Sequence, residues 1–416
     1  MFLFSFINTL FAECPEVVWP TSEWPDISDE ILLEKSDEIQ NLQDYAFTLD
    51  GKDSERKGIR TDGMLIIQDG QILFEDYGRG FTRKNPHLLW SITKSINSTL
   101  LAIGVKNELI SLEESICVYD QSIPDKNCNI TVLDLLRFSS GLDFKETYEG
   151  EPYQQSAVLA MLYGVGSDDM ASFVANHDQN TQPGTQINYS TGDATLLASI
   201  IGSAVKDTYG EHYPWTMLFE PLGMSSAVYE RDISGTYVGG SYAYLTTHDA
   251  ARFGYLYLNN GCWNGEQLLP EYWAEQAAQL SQPLLDGGNI GEDTDGSGWS
   301  WWLNIDAPNL EIEPWLPDAP SDTFSANGHW GQHIFIVPSW NLIVVRFGDD
   351  RDDTHDKNKL LSLAMAIATA PSESSTSSPA PTEDFIEENF DTSIKINPNA
   401  PKPENPSKTK STFVPQ

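Results

Sequence analysis

The chain places strand-forming segments near both ends and helix-forming segments between them, and this order limits the folds that it can adopt. Residues 63–77 have the pattern of a β-hairpin, with apolar runs on either side of Asp69-Gly70. Strand patterns return late in the chain, at 300–304, 333–337 and 342–347. Regular alternation of strands and helices is missing, so a doubly wound parallel sheet is not expected. The order instead predicts an α/β (α+β) fold: one antiparallel sheet built from N- and C-terminal segments, flanked by helices, with an inserted and mostly helical subdomain.

Apolar residues at helical spacing mark the helices of this fold. The clearest helix is predicted over 91–106, where Ile92, Ile96, Leu100 and Ile103 share one face. Further helices are expected at 131–138, 156–163, 193–205, 249–258, 271–280 and 358–369. With 416 residues, of which 40% are hydrophobic, the chain is long enough for one large domain. We expect this domain over 15–370, with the helical insertion at about 107–230.

The two ends of the chain differ from this domain in composition. Residues 1–14 form a short apolar segment that resembles a signal peptide cleaved after Ala12, although basic residues before it are missing. A periplasmic or secreted location is therefore favoured over a cytoplasmic one. Residues 371–416 are rich in Pro, Ser, Thr, Lys and Glu, a composition that predicts a disordered tail. No other run approaches the length of a membrane span, so none is expected.

The charge of the chain limits its partners. It carries 61 acidic and 24 basic residues, which gives a formal net charge of −37 at pH 7. Nucleic acids and anionic membrane surfaces would be repelled, so neither is an expected partner.

The four cysteines lack Cys-x-x-Cys spacing, so no zinc site or redox motif is expected. Cys117 and Cys128 flank a turn-rich loop. They form either a local disulfide in an oxidising compartment or two unpaired thiols.

Ser91-Ile92-Thr93-Lys94 is the candidate catalytic motif. Residues three apart share a face of the predicted helix, so the amine of Lys94 can reach Ser91 Oγ and help to remove its proton. A serine activated by lysine is the nucleophile of acyl-enzyme hydrolases that lack a Ser-His-Asp triad. The motif alone has low specificity, because so short a pattern also occurs by chance. Its weight therefore depends on partners elsewhere in the chain.

Further motifs follow in order. They are Trp90-Ser91-Ile92-Thr93-Lys94-Ser95, Leu135-Leu136-Arg137-Phe138-Ser139-Ser140-Gly141-Leu142, Asn188-Tyr189-Ser190-Thr191-Gly192-Asp193, Pro221-Leu222-Gly223-Met224, Gly239-Gly240-Ser241, Asp249-Ala250-Ala251-Arg252-Phe253-Gly254 and Gly328-His329-Trp330-Gly331-Gln332. With these motifs, residues 63–368 resemble the serine β-lactamase and penicillin-binding-protein superfamily. Within it the chain is most similar to the esterase-like branch that includes 6-aminohexanoate-oligomer hydrolases.

The resemblance implies that Tyr189 completes the catalytic group, since it matches the tyrosine of a Tyr-x-Asn or Tyr-Ser-x element. A phenol beside a lysine ammonium has a lowered pKa, so Tyr189 would accept the Ser91 proton and later pass it to the leaving group. Thr191 stands where many relatives carry Asn. A hydroxyl cannot replace both the donor and the acceptor of an amide, which argues against recognition of β-lactams.

The resemblance also implies a substrate-binding element at His329-Trp330-Gly331, where many relatives have Lys-Thr-Gly. Gly331 would let a strand edge approach the substrate, and His329 and Trp330 would line the site. The backbone N–H groups of Ser91 and Gln332 would form the oxyanion hole. Without the lysine of Lys-Thr-Gly, no fixed cation awaits a substrate carboxylate.

These residues predict a serine hydrolase that cleaves a small ester or amide through an acyl-enzyme, without metal or cofactor. A β-lactamase or D-alanyl-D-alanine carboxypeptidase with the same groups is the alternative. Two further hypotheses remain: a non-catalytic binding protein of the same fold, and an α/β-hydrolase whose nucleophile is Ser241 in the loosely elbow-like Gly239-Gly240-Ser241.

Overall fold

A computed structural model describes residues 14–148, 155–286, 297–352 and 354–371. The predicted signal segment before Cys14 and the predicted tail beyond Pro371 lie outside the described residues. Among the residues described, no helix is long and apolar enough to cross a membrane.

The described strands are β1 (Thr61–Gln68), β2 (Gln71–Tyr77), β3 (His87–Leu88), β4 (Val228–Tyr229), β5 (Ala243–Leu245), β6 (Cys262–Trp263), β7 (Glu266–Gln267), β8 (Trp302–Leu303), β9 (Phe324–Gly328), β10 (Gln332–Val337) and β11 (Leu342–Gly348). The helices are α1 (Ser28–Glu34), α2 (Ser36–Ala46), α3 (Ile92–Lys106), α4 (Ile116–Tyr119), α5 (Val132–Leu136), α6 (Ala157–Tyr163), α7 (Met170–Ala175), α8 (Thr191–Tyr209), α9 (Thr247–Leu258), α10 (Trp273–Ala277), α11 (Gln282–Leu285) and α12 (Lys357–Ile367).

The main sheet has six strands in the order β2-β1-β11-β10-β9-β8, and every neighbouring pair in it is antiparallel. The N-terminal hairpin joins the C-terminal strands through β1 and β11, where Leu65 pairs with Val345. At the hairpin turn, Asp69 and Gly70 both have positive φ, 50° and 75°, as a two-residue turn that follows the strand twist requires. The sheet therefore unites the two ends of the domain, as the order of segments predicts.

Both faces of this sheet are covered, which explains why all eight residues of β1 are buried. Alternate side chains of a strand point to opposite faces. Leu65 and Ile67 belong to the core cluster on the α9 side, together with Phe253. Met64 and Ile66 belong to a second cluster, which α2 and α12 build with Leu42 and Leu360 among others.

Helix α3 connects the sheet to the helical part of the molecule. It packs on α8 and also contacts β9 and β10, and its residues from Ile92 to Gly104 are buried. Every element that the structure describes between Leu88 and Val228 is helical. The N-terminus of α3, which carries Ser91, therefore lies where the sheet and the helices meet.

The predicted α/β (α+β) fold is confirmed, and most predicted elements lie within a few residues of their observed positions. Strand β9 was not predicted, because Ser325, Ala326, Asn327 and Gly328 have low strand propensity and show no apolar alternation. It forms because β10 and β8 pair with its two edges. Helices α1 and α2, before the hairpin, were not predicted either.

Two disulfides link cysteines of the described chain. Cys117 pairs with Cys128, which decides between the two alternatives left open by their spacing. Cys14 pairs with Cys262, 248 residues away, and so ties the N-terminal segment to β6. The second bond could not be predicted from the sequence, because the partners meet only through the tertiary fold.

Candidate active site

Ser91 and Lys94 lie at the start of α3 with the geometry that the motif predicts. Lys94 Nζ is 3.0 Å from Ser91 Oγ, 2.9 Å from Thr191 Oγ1 and 3.0 Å from the carbonyl oxygen of Gly240. Trp90, immediately before the serine, has a φ of 49°, an unfavourable backbone conformation for a bulky residue. The tight turn at Trp90 presents Ser91 at the mouth of the helix.

Burial changes the acid–base properties of Lys94. Its residue is 2% exposed, and the loss of hydration lowers the pKa of its amine from 10.5 to about 8. The carboxylate of Glu146 acts in the opposite direction and raises this pKa. A substantial fraction of Lys94 is therefore a free amine at mildly alkaline pH, and a free amine can accept a proton from Ser91.

Tyr189, the third residue predicted for the catalytic group, lies beside the Ser91–Lys94 pair. Lys94 Nζ lies 4.7 Å from the centre of the Tyr189 ring, and Tyr189 lines the same cleft as Ser91. The ring packs between Phe138 and Trp302. Tyr189 directly precedes Ser190, which caps α8 by accepting a hydrogen bond from Asp193 N. The N-termini of α3 and α8 thus bring the three residues together.

Glu146 and Tyr148 also lie at this site, and no sequence motif predicts either. Glu146 Oε1 accepts hydrogen bonds from Thr191 Oγ1 at 2.6 Å and from the Tyr148 hydroxyl at 2.7 Å. Its Oε2 accepts from Thr191 N, in the first turn of α8, at 3.0 Å. The stretch 143–148 matches none of the motifs above, so only its position in the fold identifies these residues.

The cleft in front of Ser91 has a volume of about 470 Å³ and is rich in aromatic side chains. Its walls include Trp90, Tyr148, Tyr189, Trp302, Trp315 and His329. Glu146 lies inside it, and Glu313 and Lys357 contribute charges of opposite sign to its lining. A cleft of this size holds a small molecule and provides mainly apolar contact with a few polar groups, as ligand sites do.

The strand that borders the cleft is β9, followed by His329. Asn327, Gly328 and His329 line the cleft, whereas Gln332 lies on the next strand, β10, and is fully buried. The Gln332 side chain bonds instead to Gly348, accepting from its N–H and donating to its carbonyl. The structure therefore does not bring Gln332 to the cleft, because the strand that contains it is shielded by β9.

Gly331 and Trp330 lie in the turn between β9 and β10. Gly331 has a φ of 87°, and a Cβ there would lie 2.0 Å from Arg346 Nη1 and 2.3 Å from Asp350 Oδ2. Trp330 packs edge-on against Trp90 and lies under the guanidinium of Arg351. Neither residue is among those that line the cleft, so in this structure Gly331 serves packing around Arg346.

A close backbone contact at the start of α3 involves Gly328 rather than Gly331. A Cβ on Gly328 would lie 2.1 Å from the carbonyl oxygen of Leu89, two residues before Ser91. Real Cβ atoms do not come so near another atom, so glycine is required for β9 to approach the start of α3.

Thr191 and Ser241 both lie near the Ser91–Lys94 pair. Thr191 is fully buried, and its hydroxyl lies between Lys94 and Glu146. Ser241 lines the cleft but lies in a turn before β5, on an antiparallel architecture, and lacks the strand-to-helix turn of an α/β-hydrolase nucleophile. The α/β-hydrolase hypothesis was therefore wrong about the fold.

Comparisons with known proteins agree with this architecture. A sequence profile described as Beta-lactamase matches residues 39–367. The 6-aminohexanoate-dimer hydrolase of Paenarthrobacter ureafaciens is 22% identical over 311 residues, which cover 71% of this chain and 74% of that protein. Two solved structures are also similar, and at their low identities they show the fold alone.

The first is a Bacillus anthracis protein assigned to the 6-aminohexanoate-dimer hydrolases. It superposes with a TM-score of 0.59 and 21% identity, over 74% of this chain and 78% of its own. The second is EstCE1, a hydrolase with promiscuous acyltransferase activity. It superposes with a TM-score of 0.58 and 16% identity, over 82% of this chain and 99% of its own.

Proposed function

The chain belongs to the beta-lactamase family, and from that premise we propose that it is a serine hydrolase that cleaves a small ester or amide through an acyl-enzyme. The observation that carries this proposal is the 3.0 Å contact between Ser91 Oγ and Lys94 Nζ, whose buried amine has a pKa of about 8. A buried lysine with a lowered pKa beside a serine has the properties of a general base and its nucleophile.

The acylation step follows from this contact. Lys94, as the free amine, takes the proton of Ser91 Oγ as the oxygen attacks the substrate carbonyl. Tyr189, above the Lys94 amine, passes a proton to the departing alcohol or amine, and Lys94 restores it. Ser91 is then esterified, and the bond between the acyl group and its leaving group is broken.

Hydrolysis of the acyl-enzyme uses the same groups in the same order. Water enters from the open cleft and loses a proton to the Lys94 and Tyr189 pair as it attacks the ester carbonyl. Ser91 Oγ departs and regains its proton, which releases the free acid. No metal or cofactor takes part in this scheme.

Two backbone N–H groups would stabilise the negative oxygen of the tetrahedral intermediates. Ser91 provides one of them at the start of α3. For the second we propose the N–H of His329 in place of Gln332, because His329 follows the strand that borders the cleft. Donors that already point at the position of the developing oxyanion stabilise it strongly.

A β-lactamase or D-alanyl-D-alanine carboxypeptidase is less well supported. The bordering strand carries Ala326, Asn327 and Gly328, with no lysine to bind a substrate carboxylate. The described cleft lining has two acidic residues, Glu146 and Glu313, against one lysine, Lys357. An anionic substrate would meet repulsion there, so a neutral or cationic ester or amide fits better.

The test is hydrolysis of p-nitrophenyl acetate and butyrate by the wild type, Ser91→Ala and, as a matched control, Ser241→Ala. We expect a burst of nitrophenolate followed by steady turnover in the wild type and in Ser241→Ala, and neither in Ser91→Ala. Activity that survives in Ser91→Ala would refute the proposed nucleophile. If no protein turns over and a serine-directed covalent probe fails to label Ser91, the non-catalytic binding protein becomes the better interpretation.

We also propose that the protein works in the periplasm or outside the cell. Both disulfides support this location, because such bonds persist in oxidising compartments. Mass spectrometry of the protein recovered from the periplasm or medium should show an N-terminus at Glu13. Recovery of the full chain from the cytosol with free thiols would contradict the proposal.

A further inference from the structure

The Thr191 hydroxyl occupies a position between the catalytic lysine and a carboxylate. Its oxygen is 2.9 Å from Lys94 Nζ and 2.6 Å from Glu146 Oε1. A hydroxyl has one hydrogen to donate and two lone pairs that accept. The carboxylate of Glu146 can only accept, so the single hydrogen of Thr191 points at Glu146 and a lone pair faces Lys94.

The Tyr148 hydroxyl does not change this assignment. It donates to Glu146 Oε1 at 2.7 Å and is 3.3 Å from Thr191 Oγ1. The shorter contact takes its hydrogen, because an ionised acceptor forms the stronger bond. Thr191 N also donates to Glu146, at 3.0 Å, which holds the carboxylate against the first turn of α8. Glu146 is thus fixed by three donors.

The direction of the Thr191 hydrogen determines the direction of the Lys94 lone pair. A free amine has two hydrogens and one lone pair, and the described hydrogen-bond contacts of Lys94 Nζ are with Ser91 Oγ, Thr191 Oγ1 and the Gly240 carbonyl oxygen. The Gly240 carbonyl can only accept, and Thr191 has already committed its hydrogen to Glu146. Both hydrogens of the amine therefore go to these two groups. The lone pair is left facing Ser91 Oγ, the atom whose proton it must take.

We propose that Glu146 is a positioning residue which, through the Thr191 hydroxyl, aims the lone pair of the Lys94 amine at Ser91. This inference rests on the function proposed above. Without an acceptor at 146, the Thr191 hydroxyl can rotate and donate to the amine, and Lys94 would then hold its lone pair away from the nucleophile.

Glu146 has a second, electrostatic effect on the same lysine. Its negative charge favours the ammonium and so opposes the lowering of the Lys94 pKa by burial. Other titratable groups lie around the site. Tyr189 faces the amine from the segment before α8, Tyr148 lies beside Glu146, His329 lines the cleft, and Asp193 on α8 accepts from Ser140. Loss of the Glu146 charge should lower the pKa of Lys94 further.

Two substitutions separate these effects. Glu146→Gln removes the charge but keeps an oxygen that can accept from Thr191. The pKa of Lys94 should fall, so the rise of burst rate with pH should occur at a pH lower by about 0.5–1 unit. Glu146→Leu removes the acceptor as well, so the burst rate should fall by about 10²-fold, the lower range of a general-base contribution. KM for the ester should change little in either variant, because Glu146 acts on the lysine.

Thr191 provides the internal check. Thr191→Val should lose burst rate as Glu146→Leu does, and the double variant should be no slower than either single one. Thr191→Ser keeps the hydroxyl, so its burst rate should stay near that of the wild type. Asp143→Asn is the matched control: it removes an exposed carboxylate from the same segment and should leave both rate and pH profile unchanged.

The outcomes distinguish this inference from the proposed function. If the wild type shows no burst, or Ser91→Ala keeps one, the proposed function itself fails. If the burst depends on Ser91 while both Glu146 variants match Asp143→Asn, the positioning role is wrong. The positioning role would also be wrong if Glu146→Gln kept an unchanged burst rate but accumulated acyl-enzyme. Glu146 would then activate the water that hydrolyses the acyl-enzyme. If Glu146→Leu fails to fold, the pH profile of Glu146→Gln and the comparison of Thr191→Val with Thr191→Ser still test the positioning role.

Discussion

Gly328 lies so close to Leu89 that a Cβ on Gly328 would come within 2.1 Å of the Leu89 carbonyl oxygen. This contact sets the distance between the strand that borders the cleft and the helix that carries Ser91. Gly328→Ala should therefore push β9 away from Ser91. We expect kcat/KM for a p-nitrophenyl ester to fall by about 10²-fold or more, since small displacements of catalytic groups reduce rates that strongly.

Gly202→Ala is the matched control for this substitution. Gly202 lies in α8, and a Cβ there would make only ordinary contacts, the nearest at 3.4 Å from Tyr213. Alanine at an unstrained helix position stabilises by roughly 0.5–1 kcal/mol. The control should keep full activity and gain a little stability in urea unfolding. Full activity in Gly328→Ala would show that the approach of β9 is not needed for catalysis.

The pKa of Lys94 predicts the pH dependence of acylation. Burial lowers it to about 8, and the free amine is the form that accepts the Ser91 proton. The burst rate should therefore rise with pH and level off above about 8. Stopped-flow measurement of nitrophenolate release between pH 6 and 9.5 tests this. A burst rate that is flat across this range would mean that Lys94 is not the base.

The same lysine should reduce the stability of the folded protein at neutral pH. Its pKa is about 8 in the fold and near 10.5 in the unfolded chain, so the unfolded state binds more protons between these values. The free energy of unfolding should therefore increase as the pH rises from about 8 to 10.5, because Lys94 loses its proton in the folded state first. Lys94→Met removes the buried charge, so its free energy of unfolding at pH 7, measured in urea, should exceed that of the wild type by about 1–3 kcal/mol. The variant should also lose activity. A less stable Lys94→Met would contradict this.

His333 and His355 predict a loss of stability in acid. Their Nε2 atoms are 3.0 Å apart, and burial lowers the pKa of both residues, for His355 to about 3. Between pH 6.5 and about 3 the unfolded state binds more protons than the folded state. The contribution of these histidines to the free energy of unfolding is therefore complete above pH 6.5 and is lost as the pH falls. In His355→Gln, the slope of unfolding free energy against pH from 6.5 to 4 should decrease by roughly 1.4 kcal/mol per pH unit at most. An unchanged slope would assign the acid sensitivity to carboxylates.

The two disulfides should differ in their contribution to stability. Cys14–Cys262 closes a loop of 248 residues and Cys117–Cys128 one of 11. Loop entropy gives about 5.5 kcal/mol for the longer loop and about 3 kcal/mol for the shorter. Urea unfolding of the two paired Cys→Ala variants should show the larger loss for Cys14 and Cys262. A larger loss for the short loop would mean that local strain or packing outweighs chain entropy.

Local patterns in the sequence were enough to predict the helix that carries the candidate nucleophile and base, and the N-terminal hairpin. Ser91 and Lys94 meet because residues three apart share a helix face. The hairpin forms because Asp69-Gly70 makes a two-residue turn between two apolar runs. Tyr189 was found by resemblance, and the structure places its ring 4.7 Å from Lys94.

What local patterns missed has a common cause. Strand β9 has weak strand propensity of its own and is held by its neighbours. The substrate-lining element was therefore predicted at His329-Trp330-Gly331, after this strand, and the second oxyanion donor at Gln332. Glu146 carries no motif, and it matters because it lies beside Thr191, 45 residues later in the chain.

The sequence by itself determined the order of strands and helices, the shared antiparallel sheet and the Ser91–Lys94 pair, because these depend on spacing along the chain. Only the tertiary structure decided which strand edge faces Ser91, which carboxylate directs the hydrogen of Thr191, and that Cys14 pairs with Cys262. These relationships join segments far apart in sequence, and they depend on how the whole core packs rather than on any local preference.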